Sequence, residues 1–171
     1  MANNHIALTL ALPCSAHRAW DEITHWNNQS KWMLQTSVWL TSEIESGPGT
    51  EIAAFTGPFH KLFPRLRFLG VLDTMVVTNW QPPQICDVLH TGKIIKGTGR
   101  FEVIATSDHT SQFHWSEIIW APRVYFSFLN LLSTLEYGYL CVDSLKLLDN
   151  SHNKLALRGG LLAIRTVNLG I

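Results

Sequence analysis

The chain has 171 residues, with 13 Lys plus Arg balanced by 13 Asp plus Glu. That length supports one domain with a sizeable core. The interspersed charges leave no electrostatic footprint for nucleic acid or for a strongly acidic partner. Charged residues make up only 15% of the chain, while tryptophans number seven. This balance favours a large apolar interior or an internal cavity over a heavily solvated surface.

Residues 5–13 (HIALTLALP) alternate loosely and stop at Pro13, which predicts a first strand. Ser15 is placed to cap a short helix that carries Ala16, Ala19, Trp20 and Ile23 along one side. Asn27 and Asn28 interrupt it, and Ser30 to Leu34 predict a second helical turn with Trp32 and Met33. Residues 35–46 are strand-like, Gly47-Pro48-Gly49 predicts a turn, and residues 50–56 pair back as the next strand. Residues 57–68 contain two prolines and interleave Lys61, Arg65 and Arg67 with Phe59, Leu62, Phe63, Leu66 and Phe68. They read as a connecting loop, with a pocket gate or a membrane-touching segment as the alternatives. Strand patterns resume at 71–80, 84–92, 98–107 and 111–121, with Gln81-Pro82-Pro83 and Asp108-His109-Thr110 as turns. Consecutive short strands at this spacing predict an antiparallel meander.

The segment from Arg123 to Leu148 changes period. Phe128, Leu131, Leu132, Leu135, Tyr139, Val142 and Leu145 fall on one arc of a helix, and Asp149-Asn150 end it. Its length would suit a membrane span. Glu136 near the centre, the polar Asn130, Ser133 and Thr134, and the lack of a flanking basic cluster favour a long helix lying on a sheet. The expected architecture is a strand, two short helices, six more strands and a closing helix. A sheet of that size curls, and where helix and sheet part, an apolar pocket forms.

Cys14, Cys86 and Cys141 are odd in number and far apart, so buried thiols in a reducing compartment are expected. The N-terminal segment lacks a basic n-region, and a cytoplasmic protein is the expectation.

The run AHRAWDEITHWNNQSKWM, followed by VVTNWQPP, HTGKIIKGTGRFEV, WSEIIWAP and a long apolar helix, resembles the START-like (SRPBCC) superfamily. Within it, the likeness is to bacterial proteins of the polyketide cyclase/dehydrase and lipid-transport kind. The resemblance covers roughly residues 5 to 148. It implies an α+β helix-grip fold, in which a curved antiparallel seven-stranded sheet wraps around a long C-terminal helix, with two short helices after the first strand. It also implies a deep hydrophobic cavity between sheet and helix. The START-like domain is expected over residues 1–150, with a C-terminal tail at 151–171.

Alternation points to the candidate site. Phe113, Trp115, Glu117 and Ile119 share one face of their strand, and Phe101, Val103 and Ala105 share a face of the neighbouring one. A carboxylate among aromatics would have a raised pKa and could orient a ligand hydroxyl or act as an acid. Glu117 could instead face solvent or pair with Arg100. His90, on a face with Cys86 and Val88, could contact a ligand or act as a base. The other reading of His90 is a structural histidine bonded to a backbone carbonyl. Asp73, alternating with Met75 and Val77, is a second polar pocket group or an edge-of-strand acid. Facing them, the helix would contribute Phe128, Leu132, Leu135 and Tyr139. Trp20, Trp26 and Trp32 are expected to pin the short helices to the sheet, with Trp39, Trp80, Trp115 and Trp120 offering flat contact where they face inward.

No H-x-x-x-H, H-E-x-x-H, G-x-S-x-G or glycine-rich phosphate loop occurs, so no metal, cofactor or nucleophile is expected. The leading expectation is a monomer or homodimer that binds a small hydrophobic molecule, for transport or sequestration. The alternative is a polyketide cyclase/dehydratase-type enzyme using Glu117 and His90 for proton transfer.

Overall fold

The computed structural model describes residues 2–31, 33, 36–57 and 70–122. These residues form seven strands, β1 (Ala2–Leu12), β2 (Thr36–Leu40), β3 (Glu51–Thr56), β4 (Val71–Gln81), β5 (Ile85–His90), β6 (Lys96–Ser107) and β7 (Thr110–Ala121). Two helices, α1 (Ala16–Thr24) and α2 (Trp26–Gln29), lie between β1 and β2. All seven strands join one antiparallel sheet in the order β1-β7-β6-β5-β4-β3-β2. The meander runs from β2 to β7, and β1 pairs with β7 through Ile6↔Glu117, Leu8↔Trp115 and Leu10↔Phe113. Register shifts at Val77/Asn79 and Ala105/Ser107 add local twist, and the sheet curls into a half-barrel. The predicted helix from Arg123 and the 151–171 tail lie outside the described residues, as does most of the 57–68 loop.

The period-two patterning sorts the sheet's faces as the sequence predicts. In β7, Phe113, Trp115 and Ile119 are buried while Ile118 and Trp120 are exposed. In β6, Phe101 and Val103 are buried, but Ala105 is exposed. It is the last residue in register, opposite Ser111, before the shift between Ala105 and Ser107 at the end of the strand.

Ser15 caps α1, its Oγ accepting a hydrogen bond from the Arg18 N–H at 3.4 Å. Ala16, Ala19, Trp20 and Ile23 are the buried stripe, and α1 packs on β6 and β7. The second helix forms earlier than predicted, at Trp26–Gln29 in place of 30–34, so Asn27 and Asn28 lie inside it. Asparagine is a poor helix former, but burial of Trp26 and a bond from Gln29 Nε2 to the Ile23 carbonyl at 2.7 Å outweigh that preference. Trp20 and Trp26 both reach Trp80 on β4, with ring centroids 5.0 and 6.3 Å apart. These two tryptophans pin the helices as expected.

The strand predicted over 35–46 stops at Leu40. Ser42 Oγ donates to the Ile44 carbonyl and accepts from the Glu51 N–H, both at 2.9 Å. That local bonding competes with the ladder and turns the chain early.

Candidate functional site

The inward faces of the sheet converge on a cavity of about 130 Å³. Asp73 and Met75 come from β4, Val88 and His90 from β5, Phe101 from β6, and Trp115, Glu117 and Ile119 from β7. Ile6 from β1, Trp26 and Gln29 from α2, and Met33 complete the lining. Strand alternation explains why these residues meet: each is an even step from its neighbours on one pleated face.

The polar core of the site is an Asp–His pair. His90 Nδ1 lies 2.6 Å from Asp73 Oδ2, with only 2% of the histidine side chain and 12% of the aspartate side chain exposed. A carboxylate accepts, so Nδ1 carries the donated proton. The remaining atoms of the pair, His90 Nε2 and Asp73 Oδ1, are buried without a hydrogen-bond partner among the described residues, as is Trp26 Nε1. Buried polar atoms without partners are uncommon, and all three belong to residues lining this one cavity.

Burial by itself lowers the pKa of His90. The Asp73 hydrogen bond and the charges of Glu117 and Asp73 more than offset it, so the imidazole holds its proton above the ordinary histidine value. Glu117 faces the cavity and accepts the Trp115 indole N–H at Oε1, 3.0 Å away. It does not pair with Arg100, whose guanidinium is turned to the other face and clamps Asp87 at 2.6 and 2.9 Å.

Six of the predicted sheet residues therefore line one cavity: Asp73, Met75, His90, Phe101, Trp115 and Glu117. Phe113 does not. It is buried behind Phe101, with ring centroids 5.6 Å apart, and supports the wall. Phe128, Leu132, Leu135 and Tyr139 lie outside the described residues. His90 bonds a carboxylate and not a backbone carbonyl, and Asp73 is a buried partner and not an edge acid.

Sequence reasoning missed Gln29 and the cavity-facing side of Trp26. Gly99 pairs with Val88 on one side and Glu117 on the other, and a Cβ there would meet Val88 Cγ2 at 2.9 Å. A glycine inside a strand is the one available hint of such a close approach.

The cysteines described are inert. Burial pushes the Cys86 thiol up to about 12, the charge of Asp87 adding to it, and burial also raises Cys14. Among the described residues, no helix is long and apolar enough to cross a membrane.

No family model matches the sequence, and no curated protein does. The fold, however, is that of the START superfamily. A START superfamily protein from Mycobacterium smegmatis superposes with a TM-score of 0.64 at 9% identity, over 85% of this chain and 99% of that one. The Zhui aromatase/cyclase from a Streptomyces species gives 0.64 at 10% identity, over 94% and 100% of the two chains. A norcoclaurine synthase point mutant from Thalictrum flavum gives 0.57 at 10% identity, over 86% and 94%. At these identities the likeness establishes the START-like fold and leaves activity to the residues of this chain.

Proposed function

We propose that this protein binds a small hydrophobic molecule in the cavity between sheet and helices, for carriage or sequestration. One observation carries the reading: an aromatic-walled cavity holds buried polar atoms that no described residue satisfies. A guest with an apolar body and one polar end meets both demands. Trp115, Phe101 and Met75 would contact the body, and His90, Asp73 and Glu117 the polar end. Cys14 and Cys86, buried and free of disulfides, suit a reducing cytoplasm.

A second reading has a specific observation in its favour. The Asp73–His90 pair, whose buried Nε2 has no hydrogen-bond partner among the described residues, lines the same cavity as Glu117 and is a proton-transfer arrangement. It would serve a cyclase or dehydratase acting on a polyketide-like substrate, with Glu117 and His90 exchanging protons and Asp73 holding the imidazole.

Native mass spectrometry of the full chain purified from its own cells tests the first reading. A retained mass in the small-molecule range, released on denaturation, is the expected result. Protein that carries nothing and whose tryptophan fluorescence ignores a panel of one- and two-ring hydrophobic compounds would refute it. Conversion of a retained compound at a rate abolished by His90→Phe would move the assignment to the enzyme.

A further inference from the structure

The connections at the two ends of the sheet differ in charge. At one end lie the β2–β3, β4–β5 and β6–β7 turns, with Glu43, Glu45 and Asp108 and neither Lys nor Arg. At the other end lie the entry into β2 and the β3–β4 and β5–β6 connections. Lys31 stands before β2, Lys93 is in the β5–β6 turn, and Lys96 opens β6. Lys96 Nζ donates to the Thr91 carbonyl at 3.0 Å, which holds its charge at this turn. The β3–β4 connection adds Lys61, Arg65 and Arg67 by sequence, and none of the three connections contains an Asp or Glu. On the strands nearby, Asp73 and Glu117 face the cavity, and Asp87 is paired with Arg100. Charges interspersed along the chain are thus sorted by the meander into a basic end and an acidic end.

The apolar surface follows the same division. Seven large apolar side chains stand exposed among the described residues, and five of them lie within three residues of the basic end of their strands. These are Trp39, Leu72, Leu89, Ile118 and Trp120. Each has a cavity-lining residue beside it in sequence, so by alternation all five point outward and ring the rim. Inside that rim, Val71, Ile95 and Ile119 line the cavity.

Single exposed apolar residues are ordinary on a protein surface. Five around one basic end call for a complement that is both apolar and anionic. A second copy docked end to end would set Lys93 and Lys96 against their own equivalents. Nucleic acid supplies negative charge but no apolar phase for Trp39 and Trp120. A bilayer containing anionic lipids supplies both, with tryptophan at the interface and lysine among the headgroups.

We propose that the basic end of the half-barrel is a docking surface for an anionic membrane. Trp120, Ile118, Leu89 and Leu72 meet the headgroup boundary, and Lys93 and Lys96 meet the phosphates. The acidic end then faces away from the surface. In this orientation Val71, Ile95 and Ile119 are the cavity residues set toward the lipid.

The test mixes the full chain with vesicles of phosphatidylcholine, alone or with about 30% phosphatidylglycerol, and measures bound protein by sedimentation. Binding to the anionic vesicles is expected, weakening as salt rises from about 0.1 M to about 1 M. Lys93→Gln combined with Lys96→Gln should weaken it about 30-fold, roughly a fivefold factor for each lysine. Adding Glu43→Gln and Glu45→Gln to that pair restores the net charge and should not restore binding, because those acids lie at the far end. Brominated acyl chains should quench the tryptophan emission of bound protein, and less so in Trp120→Thr. Undiminished binding of the two-lysine variant, equal binding to both kinds of vesicle, or rescue by the two glutamate changes would overturn the proposal. Concentration-dependent dimers abolished by Trp120→Thr would overturn it in favour of a second copy. The assay reads this surface whether or not the cavity holds a guest, so its failure leaves the reading of the cavity standing.

Discussion

Asp73 and Asp87 carry the same carboxylate, and each meets a basic partner at 2.6 Å, yet their replacement by alanine should have very different consequences. Asp73→Ala strands a histidine whose side chain is 2% exposed. Breaking one member out of a buried pair costs about 3–5 kcal/mol, because the survivor stays desolvated and unpartnered. For a chain of this size, each kcal/mol moves Tm by about 2–4 °C, so the melt should fall by about 6–20 °C. Asp87→Ala frees Arg100, whose side chain is 52% exposed, and water replaces the lost partner. That change should cost at most about 1 kcal/mol. Asp73→Asn keeps the shape and one acceptor oxygen, and it should fall between the two. Urea unfolding followed by tryptophan fluorescence, alongside thermal melts by circular dichroism, measures all three. If Asp73→Ala unfolds within about 1 kcal/mol of the parent, comparable to Asp87→Ala, the buried pair described here does not exist in solution.

The raised pKa of His90 sets a pH dependence. Protonation of His90 favours the folded state, so that contribution is complete below the ordinary value of 6.5 and is lost as pH rises through the higher folded value. The groups facing it are Asp73 and Glu117. The stability difference between the parent and Asp73→Asn should therefore shrink from pH 6 to pH 9, and a difference that grows over that range contradicts the assignment. In a Cys141→Ser variant, Cys86 and Cys14 should resist Ellman's reagent at pH 8 until denaturant is added, since burial raises both thiols and Cys86, near 12, is ionised in roughly one molecule in ten thousand there. Rapid labelling of the native protein would show these thiols to be accessible. Gly97, at φ +141°, faces the Ile118 carbonyl oxygen so closely that a Cβ would collide with it, whereas Gly47, at φ +104°, has open space around it. Gly97→Ala should cost at least about 2 kcal/mol and Gly47→Ala about 1 kcal/mol by denaturant titration. Equal losses would mean that the β6–β7 contact is looser than described.

Local chemistry in the sequence determined much of this protein. Strand alternation sorted Trp115 and Glu117 from Ile118, and Phe101 from Arg100, because a pleated strand sends successive side chains to opposite faces whatever their neighbours. Ser15 announced its helix, since a hydroxyl ahead of an apolar stripe can accept from the first free N–H groups. The resemblance in the 5–148 region anticipated the START-like sheet. The position of α2 was beyond reach, because Trp26 became helical through burial against Trp80 and not through the propensity of the asparagines after it. The partnership of Asp73 and His90 was also hidden. Seventeen residues separate them, and only the β4–β5 register, together with the loss of water from that face, turns two ordinary titratable residues into a buried pair. Gly99 shows the same division. As a letter it reads as a weak point in a strand, and a side chain there becomes costly only when β5 and β7 close on either side and bring Val88 against it.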